Sequence, residues 1–218
     1  MTSTASAAST TLALNSASLY IAISGLIGAG KSTLAERLGA RMKLPVYKEP
    51  VEQNPYLDKF YGNMAAHAFQ MQIYLLNERF KQQQQIAWRD EGAVQDRSIY
   101  EDTIFALMLT RAGLMSELDY QTYTALFRNM SNFMRRPTLI VYLDVSPAEA
   151  LRRIQERQRA CEASITLEYL SQLHAAYEEF LAHISRTIPV LRINYNQFPT
   201  TEEMAALIEK YYEHRNDA

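Results

Sequence analysis

The sequence predicts an α/β fold: a five-stranded parallel sheet flanked by helices. Three observations predict it. Short apolar runs alternate with helix-patterned segments along the chain. The first run, Leu19 to Ser24, leads into a glycine-rich turn that opens a helix. The 218 residues, 48% hydrophobic and 21% charged, suit one domain of this class, with two small domains as the second choice.

Each element has its own signal. Leu19 to Ser24 (LYIAIS) reads as a buried strand. Lys31 to Met42 has Leu34, Leu38 and Met42 on one helical face. Pro45 to Tyr47 is a short second strand. Met64 to Asp90 contains no Gly or Pro and predicts a helix of about seven turns. Gly92 to Gln95 is a third strand, with a helix following from Ile99, and Glu117 to Met134 is the next helix. Thr138 to Val145 (TLIVYLDV) is the clearest strand. Ser146-Pro147-Ala148-Glu149 has a capping-box pattern with Pro at the first helical position. Thr166 to Ile184 is helical, Pro189 to Asn194 is the last strand, and Thr200 to Glu203 opens a capped final helix. Such alternation implies a parallel sheet covered on both faces, with ligands bound at the carboxyl ends of the strands. The run Gln82 to Gln85 reads as a solvated helix face. Tyr100, Trp88 and the methionines of the middle helices read as packing.

Composition excludes several classes of function. With 22 Lys and Arg against 24 Asp and Glu, the net charge is −2, which argues against nucleic acid or anionic membrane as a partner. No run of 18 apolar residues encodes a spanning helix. A single cysteine, Cys161, forms no internal disulfide and points to a reducing, cytoplasmic setting. The four histidines show no metal-ligand spacing. Residues 1–18, almost all Ser, Thr and Ala after Met1, read as a flexible tail ahead of a single domain over 19–218. This stretch lacks the basic start and longer apolar block of a secretory signal, and the arginines of a mitochondrial presequence; a chloroplast-type transit peptide is less easily excluded.

The strongest motif is Gly25-Leu26-Ile27-Gly28-Ala29-Gly30-Lys31-Ser32, followed by Thr33, which fits G-x-x-x-x-G-K-[ST] between a strand and a helix. Its glycines let backbone N–H groups turn inward around phosphate oxygens, and the helix N-terminus adds about half a positive charge. Lys31 is expected to reach the transferred phosphate and Ser32 to bind Mg²⁺. GTPases, motor ATPases and metabolite kinases share this loop. No guanine-reading N-K-x-D is present, and a small chain with a long middle helix suits a metabolite kinase.

Three further groups bear on an acceptor. Glu49, after the second strand, is placed to take a proton from a hydroxyl, although alone it is equally a surface residue. Asp96-Arg97-Ser98-Ile99-Tyr100-Glu101-Asp102 is a charged cluster at a strand end that alone reads as a capped helix start. On the long helix, Gln72 and Arg79 lie within about 20° of each other and could bracket a flat base, while Gln70 lies opposite; alone they read as solvated polar residues. Four arginines fall between Arg152 and Arg159 and suit charge neutralisation in phosphoryl transfer. The pair Arg135-Arg136, at a predicted helix end, reads as structural.

Taken together, G-L-I-G-A-G-K-S, E-P, N-P-Y-L-D-K-F-Y, M-Q-I-Y-L-L-N-E-R-F, D-R-S-I-Y-E-D and R-R-I-Q-E-R-Q-R resemble the deoxynucleoside kinase family, from Tyr20 to about Phe198. The likeness is greatest to bacterial deoxyadenosine/deoxyguanosine kinases, with deoxycytidine kinase more distant. The resemblance implies a P-loop kinase fold, a homodimer joined through long helices, and ATP-dependent phosphorylation of a deoxynucleoside 5′-hydroxyl in salvage. It implies Glu49 as general base, Arg97 as its clamp on that hydroxyl, and Asp96, where Glu is usual, helping Ser32 with Mg²⁺. Tyr61 and Glu162 match the pair for the 3′-hydroxyl. Gln72 matches the base-pairing glutamine, with Arg79 and Asp102 as companions. Arg153, Arg157 and Arg159 match lid arginines that close over ATP.

Two departures stand out. An aromatic ring expected four residues after Asp102 is replaced by Ala106, preceded by Phe105, so either Phe105 turns in or the pocket is roomier. Gln158 stands where Gly is common between the lid arginines. The acceptor base is expected to be deoxyadenosine, with deoxyguanosine or deoxycytidine close behind. The rivals are a nucleoside monophosphate kinase, such as a thymidylate kinase, and a catalytically silent structural relative; intact Lys31, Ser32, Glu49 and Arg97 count against the latter.

Overall fold

The central strand, β1 (Tyr20–Gly25), is buried along its whole length, as its apolar run requires. β2 (Val46–Tyr47), β3 (Ala93–Asp96), β4 (Leu139–Asp144) and β5 (Val190–Asn194) complete a sheet of order β2-β3-β1-β4-β5, parallel throughout. The computed structural model describes residues 19–216 apart from residue 52, so the expected tail over 1–18 lies outside the described residues. Register sets where the site forms. Ile23 pairs with Asp96, Gly25 with Leu143 and Tyr47 with Gln95, so three loops leave the sheet at one level.

The helices are α1 (Lys31–Met42), α2 (Leu57–Gly62), α3 (Met64–Arg89), α4 (Asp102–Arg111), α5 (Glu117–Ser131), α6 (Pro147–Arg157), α7 (Leu167–Ile184) and α8 (Thr201–Asn216). One layer holds α1 beside α8; another holds α3, α4, α5 and α7. In α1, Leu34 and Leu38 are buried and Met42 packs against the same core, as the spacing predicts. Burial of each such leucine contributes about 1.5–3 kcal/mol. The side chain of Asn63 accepts from the Ala66 N–H at 3.2 Å and caps α3. Asp90 ends it in the left-handed region at φ 48°.

Several expectations need correction. Helix α2 was not foreseen: six residues carry too little periodicity. The segment from Ile99 opens as a 3-10 turn over Ile99–Glu101 before α4 begins at Asp102. Helix α5 ends at Ser131 rather than Met134, so Arg135-Arg136 lies beyond its last turn; Arg135 instead pairs with Asp90 at 2.8 Å. Only half of the Ser146 box forms. Ser146 Oγ accepts from the Glu149 N–H at 3.2 Å, but the Ser146 N–H donates to Asn196, and the Glu149 carboxylate is taken by Arg152 and Arg153. The Thr200 box is complete: Glu203 N–H donates to Thr200 Oγ1 at 3.2 Å, and Thr200 N–H to Glu203 Oε2 at 2.7 Å. Tyr100 packs edge-on against Phe127, but Trp88 is 78% exposed and is not core. No helix among the described residues is long and apolar enough to cross a membrane.

Candidate active site

The loop between β1 and α1 folds as its glycines demand. Gly28 has φ +81°, and a Cβ there would come within 2.6 Å of the Ala150 carbonyl oxygen and 2.8 Å of Ile154 Cγ1. Gly30 at φ +95° is the N-cap of α1, which leaves the first N–H groups of that helix open to an anion. Beside this loop lies a cavity of about 440 Å³, a size suited to a small molecule. Gly28, Gly30, Lys31, Ser32 and Thr33 line one side of it; Glu49, Tyr61, Gln72, Arg79, Arg97, Phe105 and Glu162 line the other.

Lys31 Nζ donates to the Leu26 carbonyl at 2.8 Å. Burial, and then the Arg97 charge, bring its pKa down to about 8. Ser32 Oγ donates to Asp96 Oδ2, and Asp96 Oδ1 is buried without a partner. Burial, with the Glu49 charge, raises the Asp96 pKa. A hydroxyl and a carboxylate with one unpaired oxygen are the hard donors that Mg²⁺ takes, so these two residues fit that ion.

Glu49 stands between two guanidinium groups. Arg79 Nη2 lies at 2.9 Å and Arg97 Nε at 3.0 Å, both on Oε1. Burial would raise this carboxyl, but Arg97, Arg79 and Lys31 outweigh it and hold the pKa at about 2. Arg79 also grips Asp102, and both side chains are 1% exposed. Gln72 is buried on the same face of α3, and its Oε1, Arg79 Nε and Asp102 Oδ2 are unpaired. Unpaired buried atoms cost about 1–3 kcal/mol each, which a ligand with matching donors and acceptors would recover.

Tyr61 comes from α2, and Glu162 from a 3-10 turn over Ala160–Glu162. Glu162 is gripped by Arg157 and, at 3.0 Å, by Arg159. Phe105 turns in: its ring lines the cavity, with the Arg97 guanidinium 4.9 Å from its centre, while Ala106 is fully buried in the core. Arg153 departs from the lid grouping. It is 8% exposed, is absent from the cavity lining, and donates to the carbonyls of Ala29 at 3.1 Å, Tyr195 at 2.8 Å and Asn196 at 3.0 Å. Its guanidinium lies 4.0 Å from the Phe198 ring centre. In this structure Arg153 is a brace that ties the phosphate loop to the β5–α8 connection. Gln158 ends α6 at φ 53°, in the left-handed region that favours Gly. Gln158→Gly is therefore expected to raise stability by about 0.5–1 kcal/mol, seen as a melting temperature higher by about 2 °C; a lower one would contradict it.

The sequence profile described as deoxynucleoside kinase matches residues 21–214. The chain belongs to the deoxynucleoside kinase family. It is 57% identical over 194 residues to the deoxyadenosine kinase of Dictyostelium discoideum, covering 89% of this chain and 79% of that one. It is 40% identical to the deoxyadenosine/deoxycytidine kinase of Bacillus subtilis (strain 168), covering 82% and 83%. A solved deoxyadenosine kinase from M. mycoides, with the products dCMP and a flexible dCDP bound, matches at TM-score 0.81 and 32% identity, covering 90% of this chain and 100% of that one. The chain is accordingly a kinase that phosphorylates a deoxynucleoside, and the structural neighbours share its P-loop kinase fold.

Sequence reasoning missed part of this kinase's site. Arg97 adopts φ 64° and is 2% exposed. Behind it, Arg97 Nη1 meets the Tyr177 hydroxyl at 2.5 Å, and that hydroxyl lies 2.6 Å from Glu101 Oε2 and 3.0 Å from the Gly25 carbonyl oxygen. Glu101 also accepts from the Ser98 N–H at 3.3 Å. Burial raises the Glu101 pKa, against the pull of Arg97 and Tyr177 toward its charged form. This cluster ties Arg97 to the first glycine of the phosphate loop. Glu101 was visible in the charged run; Tyr177, one of 14 tyrosines, carried no signal.

Proposed function

We propose that this kinase transfers the γ-phosphate of ATP to the 5′-hydroxyl of a deoxynucleoside, deoxyadenosine preferred, with Glu49 as general base. One observation carries the reading: the Glu49 carboxylate lies 2.9 Å from Arg79 and 3.0 Å from Arg97, in the cavity that also contains Lys31. A carboxylate so held can accept the hydroxyl proton as the oxygen attacks phosphorus. The Pγ–O bond to the β-phosphate breaks and ADP leaves. Lys31, Arg157 and Arg159 neutralise charge on the moving phosphoryl oxygens. Ser32 and Asp96 would hold Mg²⁺, which supplies further charge neutralisation between phosphate oxygens when bound.

Gln72, Arg79 and Asp102 read the base edge, Phe105 stacks on it, and Tyr61 and Glu162 hold the 3′-hydroxyl. The names of the relatives support deoxyadenosine as acceptor. A homodimer through α3 and α5 is supported by the exposed Trp88, Leu118 and Leu126 on those helices and Phe133 just beyond α5. A cytoplasmic salvage role fits the same reading. A monophosphate acceptor fits it poorly, because an acceptor phosphate would face the Glu49 carboxylate. Phosphorus NMR of the product from deoxyadenosine, ATP and Mg²⁺ tests the proposal. A 5′-monophosphate is expected; a 3′-monophosphate or no product would overturn it.

A further inference from the structure

The glutamine run Gln82–Gln85 was expected to be a solvated face. The structure divides it: Gln85 is exposed, Gln83 is 1% exposed, and Gln82 is half-buried and turned toward the sheet. Gln82 Nε2 donates to the carbonyl of Lys48 at 2.7 Å. That carbonyl belongs to the residue immediately before Glu49. Strand β2 is two residues long at the sheet edge, and its ladder to β3 ends at Tyr47 opposite Gln95. The backbone that carries Glu49 therefore leaves the sheet two residues before the carboxylate. Gln82 supplies a side-chain bond one residue past the last ladder pair.

The direction of this bond is set from behind. Gln83 Nε2 donates to the Tyr20 hydroxyl, which donates to Gln95 Oε1. Gln95 Nε2 then donates to Gln82 Oε1 at 2.8 Å. With its oxygen taken, the Gln82 amide presents its N–H to Lys48. Gln82 also lies three residues after Arg79 on α3, about one turn along. One rigid helix thus holds both the Glu49 carboxylate, through Arg79, and the carbonyl before it, through Gln82.

We infer that Gln82 is a positioning residue for phosphoryl transfer: by holding the Lys48 carbonyl it keeps the Glu49 carboxylate on Arg79 and Arg97. The inference rests on Glu49 being the base. The groups that face Glu49 are Arg97, Arg79 and Lys31, which lower its pKa, with Asp96 and Tyr61 also in reach of its charge. A carboxylate that drifts from the two arginines titrates nearer the ordinary range, so its protonation begins to inhibit as pH falls toward 5.

The test compares full-length Gln82→Met, Gln82→Glu and Glu49→Gln with the parent enzyme. Gln82→Glu keeps an acceptor for Gln95 and loses the donor to Lys48; Gln82→Met loses both. Both should lower kcat about tenfold while KM for deoxyadenosine stays within about twofold, because the base-reading side chains are untouched. For Gln82→Met, which adds no charge, the ratio of variant to parent kcat should fall by a further factor of up to about two between pH 7.5 and 4.5, where a carboxylate of ordinary pKa is half protonated. A packing role would lower kcat through the folded fraction alone, so rates corrected for the folded fraction measured at each pH would match the parent at both. The inference is overturned by parent-like kcat in both variants, or by a loss that does not grow toward acid. If Glu49→Gln is inactive and the Gln82 variants are parent-like, only the positioning fails. If Glu49→Gln retains full kcat, the base assignment fails and the positioning with it.

Discussion

Glu49→Gln is expected to lower kcat by about 10²- to 10⁴-fold and to leave deoxynucleoside binding in place. The substitution removes the proton acceptor and keeps the shape. It should not unfold the protein. Arg79 retains Asp102, and Arg97 retains Glu101 and Tyr177, so neither buried cation is left alone. The pH dependence follows from the sign of the Glu49 shift. A pKa of about 2 keeps the parent carboxylate ionised throughout the neutral range, so protonation of Glu49 does not limit the parent above about pH 4. Single-turnover rates with bound deoxyadenosine, together with calorimetric affinity, check this. A single-turnover rate within tenfold of the parent would remove Glu49 from the chemistry.

Arg79→Met should cost about 3–5 kcal/mol of stability, a large share of the roughly 5–15 kcal/mol typical of a folded domain. Arg79 is 1% exposed and serves two carboxylates at once. Its loss leaves Asp102, also 1% exposed, as a buried charge without its cation. The penalty comes mainly from that uncompensated charge. Arg79→Met combined with Asp102→Leu should therefore recover most of the stability while the enzyme stays poor with deoxynucleosides. Urea unfolding of the two variants measures this. A double variant no more stable than Arg79→Met would show that the pair is not the source of the loss.

What the sequence disclosed depended on how local the cause was. The phosphate loop was legible because its glycines answer to backbone geometry within eight residues. Gln72 and Arg79 were legible as a face because helical spacing alone puts them together, and both are buried there. Arg153 was not separable from Arg157 and Arg159. The three share a run, and only the fold shows that Arg153 lies over the Ala29 carbonyl while the other two reach Glu162. Tyr177 and Gln82 act on groups 152 and 34 residues away, across elements that no spacing rule links. The Gln82–Gln85 run was misread for the same reason. Its polarity was visible, but its partner was the Lys48 carbonyl, just past the end of a two-residue strand.

The most direct measurement of the central claim is ADP release from ATP and Mg²⁺ with four deoxynucleosides, run beside their four monophosphates. The arrangement of Glu49 between Arg79 and Arg97 predicts turnover on deoxynucleosides and little on the monophosphates. Turnover confined to monophosphates would contradict it, because the acceptor would then carry its charge against the carboxylate that is meant to take its proton.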